Sequence, residues 1–207
     1  ALYLQYGNIF DANEVIDSSQ RRNIVVPVNR CFDTHVDNHI VSAQTVHGAT
    51  FCSLYASGKY TEESLSMTIG KLLKNTSYES LSEEEKPEGN RRRYPVGTVV
   101  DLPGYGTEHF FLWALSTFDS NLKAHTSMQE YALAVQKLIE SCNEESEGFP
   151  VVLPLVGTGL SRTKKDQQAV LKYLINAFRI NKDEINCDIH IVVRDDMKNE
   201  IAIMNIK

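Results

Sequence analysis

Four short apolar runs constrain the fold of this chain more than anything else: Ile24-Val25-Val26-Pro27-Val28, residues 96–102, Val151-Val152-Leu153-Pro154-Leu155-Val156 and Ile189-His190-Ile191-Val192-Val193. A half-exposed strand alternates apolar with polar residues, so unbroken β-branched runs of this length suit strands covered on both faces. Ala1-Leu2-Tyr3-Leu4-Gln5-Tyr6 and residues 110–115 read as further strands, and residues 201–206 as another at an edge. Between the runs lie helical patterns. Met128, Tyr131, Ala132, Val135, Leu138, Ile139 and Cys142 repeat at three and four residues, as do Leu65, Ile69, Leu72 and Leu73 after a cap at Thr61, and Val170, Leu171, Leu174 and Phe178. Strands alternating with helices over short links predict an α/β fold of three layers, α/β/α, around a mixed, largely parallel sheet.

Its 207 residues suffice for one domain spanning residues 1–207, and a net charge of -6 excludes nucleic acid as the expected partner, since phosphate-backbone affinity comes from clustered Lys and Arg. Arg91-Arg92-Arg93 follows Glu83-Glu84-Glu85, so residues 82–93 read as a solvated, mobile insertion in the domain. Cys31, Cys52, Cys142 and Cys187 are scattered without metal-ligand spacing, which fits reduced thiols in an intracellular protein. No apolar run is long enough to span a membrane, and no signal peptide opens the chain. A first residue already in a strand suggests a domain cut from a longer protein.

The strand at 151–156 runs into Val156-Gly157-Thr158-Gly159-Leu160-Ser161-Arg162, and Thr163-Lys164-Lys165-Asp166 offers a capping box for the helix that follows. Glycines let successive N–H groups converge on an anion, and a helix N-terminus adds partial positive charge. That is chemistry for a phosphate at the carboxyl edge of a sheet, where α/β folds place their ligands. A tight strand-to-helix turn without a ligand would use the same residues. A P-loop is excluded by the lack of a Gly-Lys-Ser/Thr ending, and the dinucleotide fingerprint by Arg162 at its third glycine.

The strand at 24–28 ends in Asn29-Arg30-Cys31-Phe32-Asp33-Thr34, which reaches the same edge. Asn29 offers donors and an acceptor to sugar hydroxyls, or satisfies its own turn. Asp33 would accept from the same sugar or a base. Arg30 serves as a phosphate clamp or an exposed turn residue. His47 would face the distal end of such a ligand or stand as a satisfied structural residue. His35 and His39 lie four apart but lack the adjoining glutamate of a zinc motif, so no metal is expected. No Gly-x-Ser-x-Gly elbow marks a nucleophile. Asp195 and Asp196 reach the same edge and read as solvated loop acids or as contacts to an adenosine.

Three segments carry a resemblance to the macro-domain family: Tyr6-Gly7-Asn8-Ile9-Phe10, Val26-Pro27-Val28-Asn29 and Pro154-Leu155-Val156-Gly157-Thr158-Gly159-Leu160. The resemblance implies a macro-type fold binding ADP-ribose, with Asn8 and Ile9 by the adenine, Asn29 at the distal ribose and Gly157 to Ser161 around the diphosphate. The family's acidic adenine contact is here Asn8. Its three-glycine loop after the asparagine is replaced by Cys31-Phe32-Asp33-Thr34-His35-Val36-Asp37-Asn38-His39, which weighs against ADP-ribosyl hydrolysis, the second reading. More narrowly, Val28-Asn29-Arg30-Cys31-Phe32-Asp33-Thr34 with Val46-His47-Gly48 is similar to the divergent macro domains of membrane effectors in type II Thoeris antiphage systems. That similarity implies a non-enzymatic sensor of an ADP-ribose derivative, histidine-ADP-ribose, made by a partner TIR enzyme, with no catalytic cofactor. It also implies an N-terminal membrane segment in the full protein, a cytoplasmic face on a bacterial inner membrane, and room for a homo-oligomer.

Overall fold

The computed structural model describes residues 1–11, 20–155, 164–198 and 203. Seven strands form one sheet in the order β1 (Leu2–Gly7), β9 (Ile189–Arg194), β8 (Val151–Pro154), β2 (Arg22–Asn29), β6 (Glu108–Phe118) and β5 (Val99–Pro103), with β7 (Ala124–His125) also on β6. Neighbours from β1 through β6 run parallel, whereas β5 and β7 run antiparallel to β6. The sheet is therefore mixed and largely parallel.

Why the strand runs are unbroken is visible in β2. Val25 packs with α3 (Met128–Glu145) and α4 (Lys164–Ile180) on one face, and Ile24, Val26 and Val28 pack with α1 (Val46–Ala56) and α2 (Glu62–Leu72) on the other. Two apolar layers thus sandwich the sheet, giving the α/β/α architecture expected of a macro-type fold. Thr61 caps α2 reciprocally with Ser64, and Ser127 caps α3 with Glu130, each satisfying helix-end N–H groups. Leu72 and Met128, counted by periodicity on the buried faces, are 49% and 47% exposed.

Several expectations change. Helix α1 is not among the elements that the sequence pattern predicts, because it has no apolar stripe: its buried face includes His47, Gly48 and Thr50 beside Phe51 and Leu54. The strand expected from residue 96 starts at Val99, since Gly97 turns the chain at φ +84 and donates its N–H to Ala114 O at 2.6 Å. The edge strand expected at 201–206 lies outside the described residues except Ile203, which is 3-10 helical.

The insertion at 82–93 is the main correction. Its glutamates are exposed, yet Lys86 is buried, and β4 (Arg92–Arg93) pairs with β3 (Glu79–Ser80). Lys86 Nζ donates to Asp33 Oδ2 at 2.5 Å and to Asn90 O at 2.6 Å, while Asn90 N donates to Asp33 Oδ1 at 2.7 Å. A segment rich in charge is thereby strapped to the turn after β2, because one buried carboxylate there has two donors to satisfy it.

Candidate functional site

Parallel strands end together, so β1, β2, β6, β8 and β9 bring their carboxyl ends to one edge. A cleft of two adjoining lobes lies there. One, about 370 Å³, is lined by Gly7, Asn8, Ile9 and Phe10 from the end of β1, with Pro154, Val192 and Asp195. The other, about 610 Å³, is lined by Asn29, His47, Ser116, Phe118, Leu155 and Gln167, among others. Gln44, Thr45, Val46, Arg194 and Asp196 line both lobes and so form the waist of the cleft.

Asn29 is the best-defined polar group in it. The register against β6 shifts between Val28 and Asn29, which pair with Ala114 and Ser116, so that Leu115 of β6 is skipped just where Asn29 ends the strand. Phe32 then closes a tight turn at φ +51, a left-handed conformation unusual for a bulky residue, and donates its N–H to Asn29 O at 3.0 Å. Asn29 Oδ1 accepts from Cys31 N at 3.0 Å, which fixes the amide. Its Nδ2 is buried with no acceptor among the described residues. The two sequence readings of Asn29, turn residue and ligand group, are thus served by different atoms of one amide.

The rest of that segment does not reach the cleft. Arg30 Nε donates to Tyr94 O at 2.8 Å. Asp33 is spent on Lys86 and Asn90, and Thr34 Oγ1 meets Ser66 Oγ at 2.6 Å. Cys31 and Phe32 line a separate cavity of about 320 Å³ with Ile69 and Tyr94, and burial pushes the Cys31 thiol up. His47 lines the larger lobe, but its Nε2 donates to Asp33 O at 2.9 Å. Burial lowers its pKa to about 4, so the ring is neutral. His35 and His39, weighed as a metal pair, go to different glutamates, Glu62 and Glu88. Asp195 and Asp196 do line the cleft, with Asp196 held by Arg194 and Asp195 by Lys198. Val156, Gly157, Thr158, Gly159, Leu160, Ser161 and Arg162, and the capping box at 163–166, lie outside the described residues or side chains.

With the cleft placed at this edge, family membership can be tested. Residues 2–194 match the family described as the macro domain of Thoeris protein ThsA. The chain belongs to this family. A curated relative, Thoeris protein ThsA of Bacillus amyloliquefaciens (strain Y2), is 28% identical over 164 residues, 76% of this chain and 52% of the relative. The chain thus spans about half the length of the curated relative it matches. A crystal structure of a protein from Bacteroides thetaiotaomicron aligns over 92% of this chain and 99% of that one, at 11% identity and a TM-score of 0.46.

Within this domain, sequence reasoning missed several residues that line the cleft. Thr45 accepts from Gly48 N and so caps α1, which follows β2. Ser116 and Phe118 end β6, and the rule that ligands meet the carboxyl ends of parallel strands would have found them once β6 was paired with β2. Gln167 sits in the first turn of the helix beyond the glycine loop, and that position was its only signal. Among the described residues, no helix is long and apolar enough to cross a membrane.

Proposed function

We propose that this domain is the sensor of an antiphage effector and binds an ADP-ribose-derived nucleotide, histidine-ADP-ribose in particular, supplied by a partner TIR enzyme. The observation that carries the reading is Asn29: a buried amide whose Nδ2 has no acceptor among the described residues, on the wall of a cleft at the carboxyl edge. Leaving a buried donor unpaired costs roughly 1–3 kcal/mol, a cost that a ligand oxygen would relieve. Strand β8 ends at the cleft with Pro154 and Leu155, and the glycine loop follows them directly in sequence, which suits donors for the diphosphate of ADP-ribose. Gly7, Asn8 and Ile9 would bound the adenine in the smaller lobe.

Binding without turnover is favoured by the state of the titratable groups around Asn29. His47 is neutral and donates to a backbone carbonyl, Asp196 is ion-paired with Arg194, and Asp33 is consumed by Lys86. The two carboxylates are thus tied up, and burial makes the remaining ring nitrogen of His47 a weak base. The reading includes an inner-membrane effector whose macro domain faces the cytoplasm, where a TIR enzyme's product would reach it.

The test is titration calorimetry with histidine-ADP-ribose and with ADP-ribose, followed by mass spectrometry after prolonged incubation. The derivative should bind at least about tenfold tighter, roughly 1.4 kcal/mol, and be recovered intact. Equal affinities would remove the specificity, and steady conversion to ADP-ribose would make the protein a hydrolase.

A further inference from the structure

Two buried polar atoms of opposite sense belong to residues that line the same lobe of the cleft. Among the described residues, Asn29 Nδ2 is a donor without an acceptor, and Gln167 Oε1 is an acceptor without a donor. Both residues line the 610 Å³ lobe, and neither lines the lobe of Asn8 and Ile9. They come from different elements, the end of β2 and the first turn of α4.

Ionised phosphate oxygens only accept, so a diphosphate could answer Asn29 but would be repelled by Gln167 Oε1. An apolar group would answer neither. A sugar diol answers both, because each hydroxyl has one hydrogen to donate and lone pairs to accept with. Packing supports Gln167 in this role: Val170, Leu171 and Leu174 bury the inner face of α4, which fixes the helix that carries the amide.

We infer that Gln167 is a specificity residue that reads the distal ribose together with Asn29, its Oε1 accepting from one hydroxyl of the diol whose oxygens accept from Asn29 Nδ2. The inference rests on the nucleotide reading proposed above and extends it to a residue on a different element. A site built with a group for each hydrogen bond of its ligand discriminates strongly against an analogue that lacks them, since the buried groups are then left unpaired. Gln167 would therefore govern the preference for a nucleotide ending in ribose over one ending in phosphate.

The experiment compares ADP-ribose with ADP, which lacks the distal ribose, on the parent protein and on Gln167→Met. The parent should prefer ADP-ribose, and Gln167→Met should lose about tenfold of affinity for ADP-ribose while ADP binding changes less than about twofold. The unliganded variant should melt no lower than the parent, because methionine fills the same space and removes an unpaired buried acceptor. An unchanged preference in Gln167→Met overturns the inference, as does equal weakening of both nucleotides or a parent that binds ADP as tightly as ADP-ribose. A parent that binds neither overturns the nucleotide reading itself and the inference with it.

Discussion

Lys86 Nζ lies 2.5 Å from Asp33 Oδ2, with the two side chains only 1% and 4% exposed. This pair joins the strap at 82–93 to the turn that fixes Asn29, so it is a structural rivet beside the cleft. Breaking one side of a buried pair leaves the other charge unpaired, which typically costs about 3–5 kcal/mol. Lys86→Met should lose that much in urea unfolding, and adding Asp33→Asn should recover part of it. A loss below about 1 kcal/mol for Lys86→Met would show that the pair does not hold the strap.

That rivet also marks where sequence reading ends. Strands covered on both faces were legible because a run such as Ile24 to Val28 has no polar residue to interrupt it. Capped, striped helices such as α2 and α3 were legible for the same local reason. Asp33 was assigned to the ligand because it follows a buried strand, whereas its partner stands 53 residues away in a segment whose charge suggested solvent. No local pattern distinguishes Lys86 from a surface lysine. Asn29 was legible as a residue type at the right edge, but the division of labour between its oxygen and its nitrogen depends on the turn at Phe32. Helix α1 escaped because periodicity counts apolar residues, and His47 and Thr50 fill inward positions instead.

His47 should make stability depend on pH. Burial lowers its folded-state pKa to about 4, against an ordinary value of 6.5. Between those values the unfolded chain takes a proton that the folded chain refuses, so acid favours unfolding. The stability from neutral His47 is complete above pH 6.5 and is lost as pH falls toward 4, a span worth about 3 kcal/mol at most. His47→Gln, which keeps a donor for Asp33 O, should flatten the stability profile between pH 6.5 and 4. An unchanged slope would mean that another group controls it.

Gly48 is required by space alone. A Cβ there would stand 2.0 Å from Ser42 O, a backbone atom that cannot swing away. Gly48→Ala should therefore cost at least about 1–3 kcal/mol by overpacking. It should also weaken nucleotide binding, since Gln44, Thr45 and Val46 at the waist of the cleft lie between the two clashing segments. Wild-type stability in Gly48→Ala would refute the close approach of α1 to residues 42–43.

The most direct measurement is calorimetric titration of ADP-ribose into the parent protein and into Asn29→Ala, with melting recorded alongside. The parent should bind at one site, and ligand at 100 times its dissociation constant should add about 2.7 kcal/mol of stability. Asn29→Ala should bind at least about tenfold more weakly, while losing only about 1 kcal/mol of unliganded stability through the missing acceptor for Cys31 N. No heat and no melting shift in the parent at millimolar ADP-ribose, or undiminished affinity in a folded Asn29→Ala, would contradict the assignment of this cleft as a nucleotide site.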